Sequence, residues 1–157
     1  MSQIKVNSIV PVGGLPSGAN GGIIQTVYTQ TNTGVQTSGT TYVDSGMTAT
    51  ITPSSNSSKI LIIASFHVQL YRDATEIGAK IQLVRGSTAI SADNFCRMPS
   101  SSEAWPFADI NLDSPGTTSA TTYKVQCKAE TNEVFVNRDG SNRDFGMSYI
   151  TVMEVGM

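Results

Sequence analysis

KILIIASFHVQLY, residues 59–71, is the stretch that decides the fold. Ile62, Ala64, Phe66, Val68 and Leu70 fall on one side of an extended chain, and Ser65, His67 and Gln69 on the other. A period of two sustained over that length predicts a half-buried strand. Residues 121–129, TTYKVQCKA, repeat the pattern: Tyr123, Val125, Cys127 and Ala129 alternate with Lys124, Gln126 and Lys128.

Outward from these two segments, short apolar or alternating runs recur between Gly, Ser, Asn, Asp and Pro. They predict further strands at Ile23–Gln30, Thr40–Asp44, Met47–Thr52, Ile77–Arg85, Thr88–Ile90, Phe107–Leu112, Glu133–Asn137 and Met147–Val155. No segment carries a capped 3.6-residue apolar period. The fold class expected is all-β, an antiparallel jelly-roll-like β-sandwich. Arg85-Gly86-Ser87-Thr88 reads as a tight turn, and Thr121–Ala129 with Glu133–Asn137 as a hairpin. The last strand is apolar on both faces. Ile150 and Val152 oppose Met147, Tyr149, Thr151, Met153 and Val155, so the strand is either central in the sandwich or covered at a subunit interface by Ile150 and Val152.

The 157 residues fit one domain able to bury about 70% of its unfolded surface. Charged residues make up 14%, against 19 Ser and 18 Thr. Residues 1–22 differ from the rest: five Gly and two Pro punctuate Ile4, Val6, Ile9, Val10, Val12 and Leu15. Such a segment builds no core of its own, yet is too apolar for an idle tail. The expected organisation is an extended anchoring arm at 1–22, laid on a partner, and a sandwich domain at 23–157.

A net charge of −2 with scattered Lys and Arg lacks the basic footprint that phosphate neutralisation requires, so nucleic acid is not an expected partner. MSQIKVNSIV has no apolar h-region with a cleavage site, and Ile60–Ala64 is far short of the ~20 residues of a membrane span. Neither a signal peptide nor a membrane association is expected. Cys96 and Cys127 have no metal-like spacing, and two buried thiols are the favoured reading.

Little in the sequence points to catalysis. His67 is the single histidine and lies on the polar side of its strand, with no Gly-x-Ser-x-Gly elbow to accompany it. The carboxylate pairs Asp73 with Glu76, Asp109 with Asp113, and Asp139 with Asp144 sit in or beside turns, where acidic residues are ordinary. The loop from Asp139 to Asp144 offers oxygen ligands but lacks EF-hand spacing, and Arg143 would repel a cation. No catalytic residue, metal or cofactor is expected. Trp105 and Phe107, after Ser100–Ser102, are either loop aromatics for recognition or core plugs at a strand start. Asp139 and Asn142 belong to a second stretch expected as an exposed recognition loop.

MSQIKVNSIVPVGGLPSGANGGIIQTV at 1–27 resembles the N-termini of virion proteins from tailed phages of cyanobacteria and related hosts. TYVDSGMTATITPSSNSSKILIIASFHV (41–68), IQLVRGSTAI (81–90), LDSPGTTSATTYKVQC (112–127) and SYITVMEV (148–155) resemble their β-domain. The resemblance spans nearly the whole chain. It implies a homotrimeric jelly-roll-like module fixed to the virion by its N-terminus and assembled in the host bacterial cytoplasm. Such modules serve as head decoration and in fibres or tail knobs. Without a shaft or coiled coil, this chain resembles a capsid decoration or cement protein more than a complete fibre. The implied partner is the major capsid protein, with a tail or portal-associated protein as the alternative. The regions 94–106 and 137–146 depart from the compact pattern and are expected as tip loops. A glycan-binding module ranks below these two, and an enzyme last.

Overall fold

The computed structural model describes residues 22–71, 77–98, 104–130, 133–141, 143 and 146–156. Ile4, Val6, Ile9, Val10, Val12 and Leu15, expected as an anchoring arm, lie outside them, as do Asp73, Glu76, Asn142 and Asp144. The described residues hold eleven strands and no helix. These are β1 (Ile23–Thr31), β2 (Val35–Thr37), β3 (Val43–Ile51), β4 (Lys59–Tyr71), β5 (Ile77–Arg85), β6 (Thr88–Ala89), β7 (Asn94–Met98), β8 (Ala104–Asp113), β9 (Thr121–Ala129), β10 (Glu133–Val136) and β11 (Ser148–Val155).

They form two antiparallel sheets, as the alternating pattern requires. In sheet A the long β4 pairs with β8 along Ile60–Gln69. On its other side β4 meets β11 along Lys59–Ser65 and β10 along Val68–Tyr71. β1 and β2 flank β11 and β10 in turn. Thus β1 with β2, and β10 with β11, are single rows broken at the same level, and the sheet is four strands wide. Sheet B places β9 between β3 and β5, with β6 and β7 both on the far side of β5. Counting broken rows once gives eight, ordered first–eighth–third–sixth in one sheet and second–seventh–fourth–fifth in the other. That is the wiring of a jelly roll.

The core lies between the sheets. Ile60, Ile62, Ala64, Phe66, Val68 and Leu70 of β4 meet Ala79, Ile81 and Leu83 of β5 and Tyr123, Val125, Cys127 and Ala129 of β9, all at most 1% exposed. Each large aliphatic or aromatic side chain among them contributes about 1.5–3 kcal/mol by leaving water.

Several expectations are corrected. Thr121–Ala129 and the segment after it are not a hairpin. β9 belongs to sheet B and β10 to sheet A, because each buries its own apolar face against the opposite sheet. The two strands expected at 40–44 and 47–52 are one, β3, bulged between Asp44 and Thr48 with Gly46 at φ +83°. The bulge adds two residues, so Val43, Met47, Ala49 and Ile51 all keep facing the core. β2 and β7, too short or too polar to show a period, were not expected. The Gly86–Ser87 turn is as read: Arg85 pairs with Thr88, and Gly86 at φ +59° suits the first central position of a type II′ turn.

Cys127 is buried and free. Cys96 pairs with Ala79 and Cys127 with Ile81 on opposite edges of β5, so two strand spacings, about 9.5 Å, separate them. That is beyond disulfide reach.

Candidate interaction surface

The two outer faces of the sandwich differ in chemistry. On sheet B most outward residues are polar and joined to one another, the apolar exceptions being Phe95 on β7, which is 54% exposed, and the buried Val84 on β5. Lys124 Nζ and Gln126 Nε2 donate to Asp44 at 2.9 and 2.7 Å, and Gln82 Nε2 donates to Gln126 Oε1 at 2.8 Å. Those bonds hold the Asp44 carboxyl below its usual range, the contact with Gln126 most of all. Thr50 and Thr122 hydroxyls meet at 2.8 Å, and Lys80 lies 3.3 Å from Glu130 and 3.5 Å from Asp93. A shallow depression of about 280 Å³ opens beside the β3 bulge, lined by Asp44, Gly46, Met47, Thr48, Thr122 and Lys124.

Sheet A carries two different outer regions. Toward the β10 end, the segment 137–141 lies over the sheet. Asn137 begins it at φ +60°, a conformation that asparagine tolerates better than most side chains. Its amide donates to the carbonyls of Thr31 and Thr33 at 3.4 and 3.5 Å, and its Oδ1 accepts from Ser148. One buried side chain thereby satisfies the backbone where β1 and β2 part. Gly140 N donates to Gln69 Oε1 at 3.0 Å, and the Arg138 guanidinium lies 5.7 Å from the Phe135 ring centre. Gln69 and Phe135, both outward-facing, are buried beneath this cover.

Beyond it the outer face is uncovered and largely apolar. Its rows follow from the registers: Leu112–Leu61–Met153–Thr26, then Ile110–Ile63–Thr151–Tyr28, then Ala108–Ser65–Tyr149–Gln30. Directly opposed residues in an antiparallel ladder share a face. Ile110 is 64% exposed, Tyr28 54%, Leu112 53% and Tyr149 37%, and the Tyr28 and Tyr149 rings stack with centres 5.9 Å apart. None of the twelve positions in these rows carries a charge.

The residues singled out from sequence distribute differently. Ile150 and Val152 are wholly buried in the core, so they do not form a subunit interface; β11 is central in sheet A, and its outward residues are Tyr149, Thr151 and Met153. Trp105 and Phe107 lie on strand β8 and not in a loop. Their side chains share the inward side with Val68 and Phe66; Trp105, at the sheet edge, stays 49% exposed, while the Phe107 ring packs 5.2 Å from that of Phe66. Trp105 is thus an exposed aromatic and Phe107 a core plug.

Asp139 is 3% exposed and is not a free recognition residue. Its carboxylate accepts from the Arg143 and Ser141 backbone N–H at 2.7 and 2.9 Å and from Arg143 Nε at 2.7 Å. The Arg143 N–H chiefly holds that carboxyl below its usual range. These are turn-closing bonds. Asp109 accepts from Asn94 Nδ2 at 2.8 Å, and Asp113 binds Arg85 and Tyr123, so this pair ties the sheets together. His67 is half-buried, and Gly146 backs onto its ring.

Leu61, Ile63, Ile110 and Leu112 were missed as surface residues, although a signal was present. In Asp109-Ile110-Asn111-Leu112-Asp113 the apolar residues alternate with polar ones that bind across the sandwich. The apolar set therefore faces out.

No family model matches the chain, and no curated protein matches it. Among solved structures it is similar to a chain in "Structure of infectious bursal disease virus Gx strain" at 12% identity and a TM-score of 0.40. That match covers 85% of this chain and 38% of the other.

Proposed function

We propose that the protein is a structural component of a tailed-phage virion that works through its surfaces, as a capsid decoration or cement protein. The observation that carries this reading is the uncharged, largely apolar face of sheet A, set against a face on sheet B that is polar and internally bonded apart from Phe95. One side of the domain suits water and the other suits protein. The resemblance of residues 1–27, 41–68, 81–90, 112–127 and 148–155 to phage virion proteins supplies the biological setting. In this reading homotrimers sit on the shell, and the apolar residues Ile4–Leu15 spread over capsid subunits. Each Å² of apolar surface covered contributes about 25 cal/mol, and binding only the assembled shell stabilises it by mass action.

Density on an intact particle is the test. Many copies in register with the shell subunits are expected, together with loss of loading when residues 2–15 are deleted. Particle loading by the truncated chain overturns the anchoring role. A few copies confined to the tail would favour the second reading, a short fibre or knob, for which exposed Trp105 is a suitable sugar-stacking or protein-anchoring residue.

A further inference from the structure

We infer that the bare outer face of sheet A is where copies of this chain pack against one another. The face is four strands wide, uncharged and largely apolar, and β8 brings Ile110 and Leu112 to an outer strand, where natural sheets usually place charge to prevent association. Natural exposure of such residues is explained when they are covered in the working assembly.

The occupant follows from charge and dimensions. Two faces with no side chain charged near neutral pH can meet without like-charge repulsion or buried unpaired charge, so the face is complementary to itself. Lys59 stands only at its end, on the row beyond Leu61. Four strands at about 4.8 Å span about 19 Å, and five residues along them about 17 Å, so the flat footprint is roughly 320 Å². Side-chain relief and Ile23 and Val155, which share the end row with Lys59, enlarge it toward the roughly 800 Å² that one partner contributes to a stable interface, with the Lys59 ammonium left at the rim. Sheets pack about 10 Å apart, which allows two such faces to interdigitate directly. Three of them around an axis would each stand about 5.5 Å from it, close to half that spacing, so a trimer closes on the same surface. Ile63, at the centre of the face, would then approach its counterpart. The inference concerns the chain in solution and does not rest on the virion role.

The test is the solution mass of the full chain by light scattering, beside Ile110→Lys, Tyr149→Lys and, on the polar outer face of sheet B, Thr50→Lys. Ile110 and Tyr149 are exposed in the single chain, so neither change disturbs the core. The expected result is a dimer or trimer for the parent and Thr50→Lys, and a monomer for the two face variants. Copper-catalysed oxidation of Ile63→Cys is expected to give linked dimers above the parent's background. A monomeric parent overturns the inference, and so does an oligomer that survives both face substitutions. An oligomer whose Ile63→Cys form does not cross-link also overturns it, because another segment must then lie over the face.

Discussion

Tyr123, wholly buried on β9, donates its hydroxyl at 2.8 Å to Oδ2 of Asp113 on β8, in the opposite sheet. Arg85 Nη1 donates to both oxygens of the same carboxylate at 2.8 Å. Burial, then the bond to Asp113, pushes the Tyr123 pKa up, so the phenol stays a donor throughout the working range. Tyr123→Phe keeps the ring and loses one bond, a cost of about 0.5–1.5 kcal/mol. Asp113→Ala leaves both Arg85 and Tyr123 without their acceptor and should cost about 1.5–3 kcal/mol. Urea unfolding with unchanged slopes measures both. Equal costs would mean that Arg85 gains nothing from the carboxylate.

Glu154 occupies an inward position of β11 and is wholly buried, where Ser54 N and Oγ donate to it at 2.7 and 2.6 Å and Gln25 Nε2 at 2.6 Å. Burial alone would raise its pKa, but the donated bonds outweigh that and bring it from 4.5 to about 2. A depressed carboxyl contributes stability that is present above 4.5 and lost as pH falls through 2. The thermal midpoint of Glu154→Gln should therefore lie below the parent's at pH 6, and the gap should narrow as pH falls toward 2. A gap constant across that range would show that the charge contributes nothing. The donors belong to the loop before β4 and to β1, so the loss should loosen the end of the sandwich where Ser54 sits.

Ile150 and Tyr149 are neighbours with opposite roles. Ile150 is wholly buried in the core, while Tyr149 points outward against Tyr28. Ile150→Ala should cost about 2–5 kcal/mol through lost burial and the cavity left behind. Tyr149→Ala should cost little in fold stability. Chemical denaturation of both separates the faces; a large loss for Tyr149→Ala with none for Ile150→Ala would reverse the assignment of β11.

Most of this sandwich is legible in the sequence, and the exceptions have physical reasons. β4, β5 and β9 are written in plain alternation, because a strand with one dry face must place apolar side chains at every second residue. The sheet partner of β10 is not legible. Four residues cannot say whether the chain turns back in the same sheet or crosses the core, and the long-range register with Val68–Tyr71 decides. β11 is ambiguous by itself because both its faces are apolar; only its register against the core residues Ala64 and Ile62 of β4 shows that Ile150 and Val152 face inward. The apolar outer face of sheet A is masked in the sequence by its polar neighbours on the same strand. Ser65, His67 and Gln69 mark the outer side of β4 as polar, yet Leu61 and Ile63 lie on that same side, and Ile110 and Leu112 extend them onto β8. Cover separates the halves: Gln69 lies under residues 137–141 and His67 beside Gly146, whereas Ile110 and Leu112, next to Ile63 and Leu61, are exposed.

Cys127 supplies an internal probe of opening. It faces the core from β9, is 1% exposed, and burial pushes its thiol up to about 12. Thiolate is the attacking form, so at pH 8 the folded chain should react with an aromatic disulfide reagent far more slowly than the unfolded chain, whose thiol titrates near 8.5. With Cys96→Ser removing the other thiol, labelling of Cys127 should require opening of β9 away from β3 and β5. Its rate should then climb with urea along the unfolding curve. Fast labelling in buffer, independent of urea, would mean that β9 does not sit between its two neighbours as described. Labelling slow in buffer but complete well below the unfolding midpoint would instead identify a local opening of sheet B.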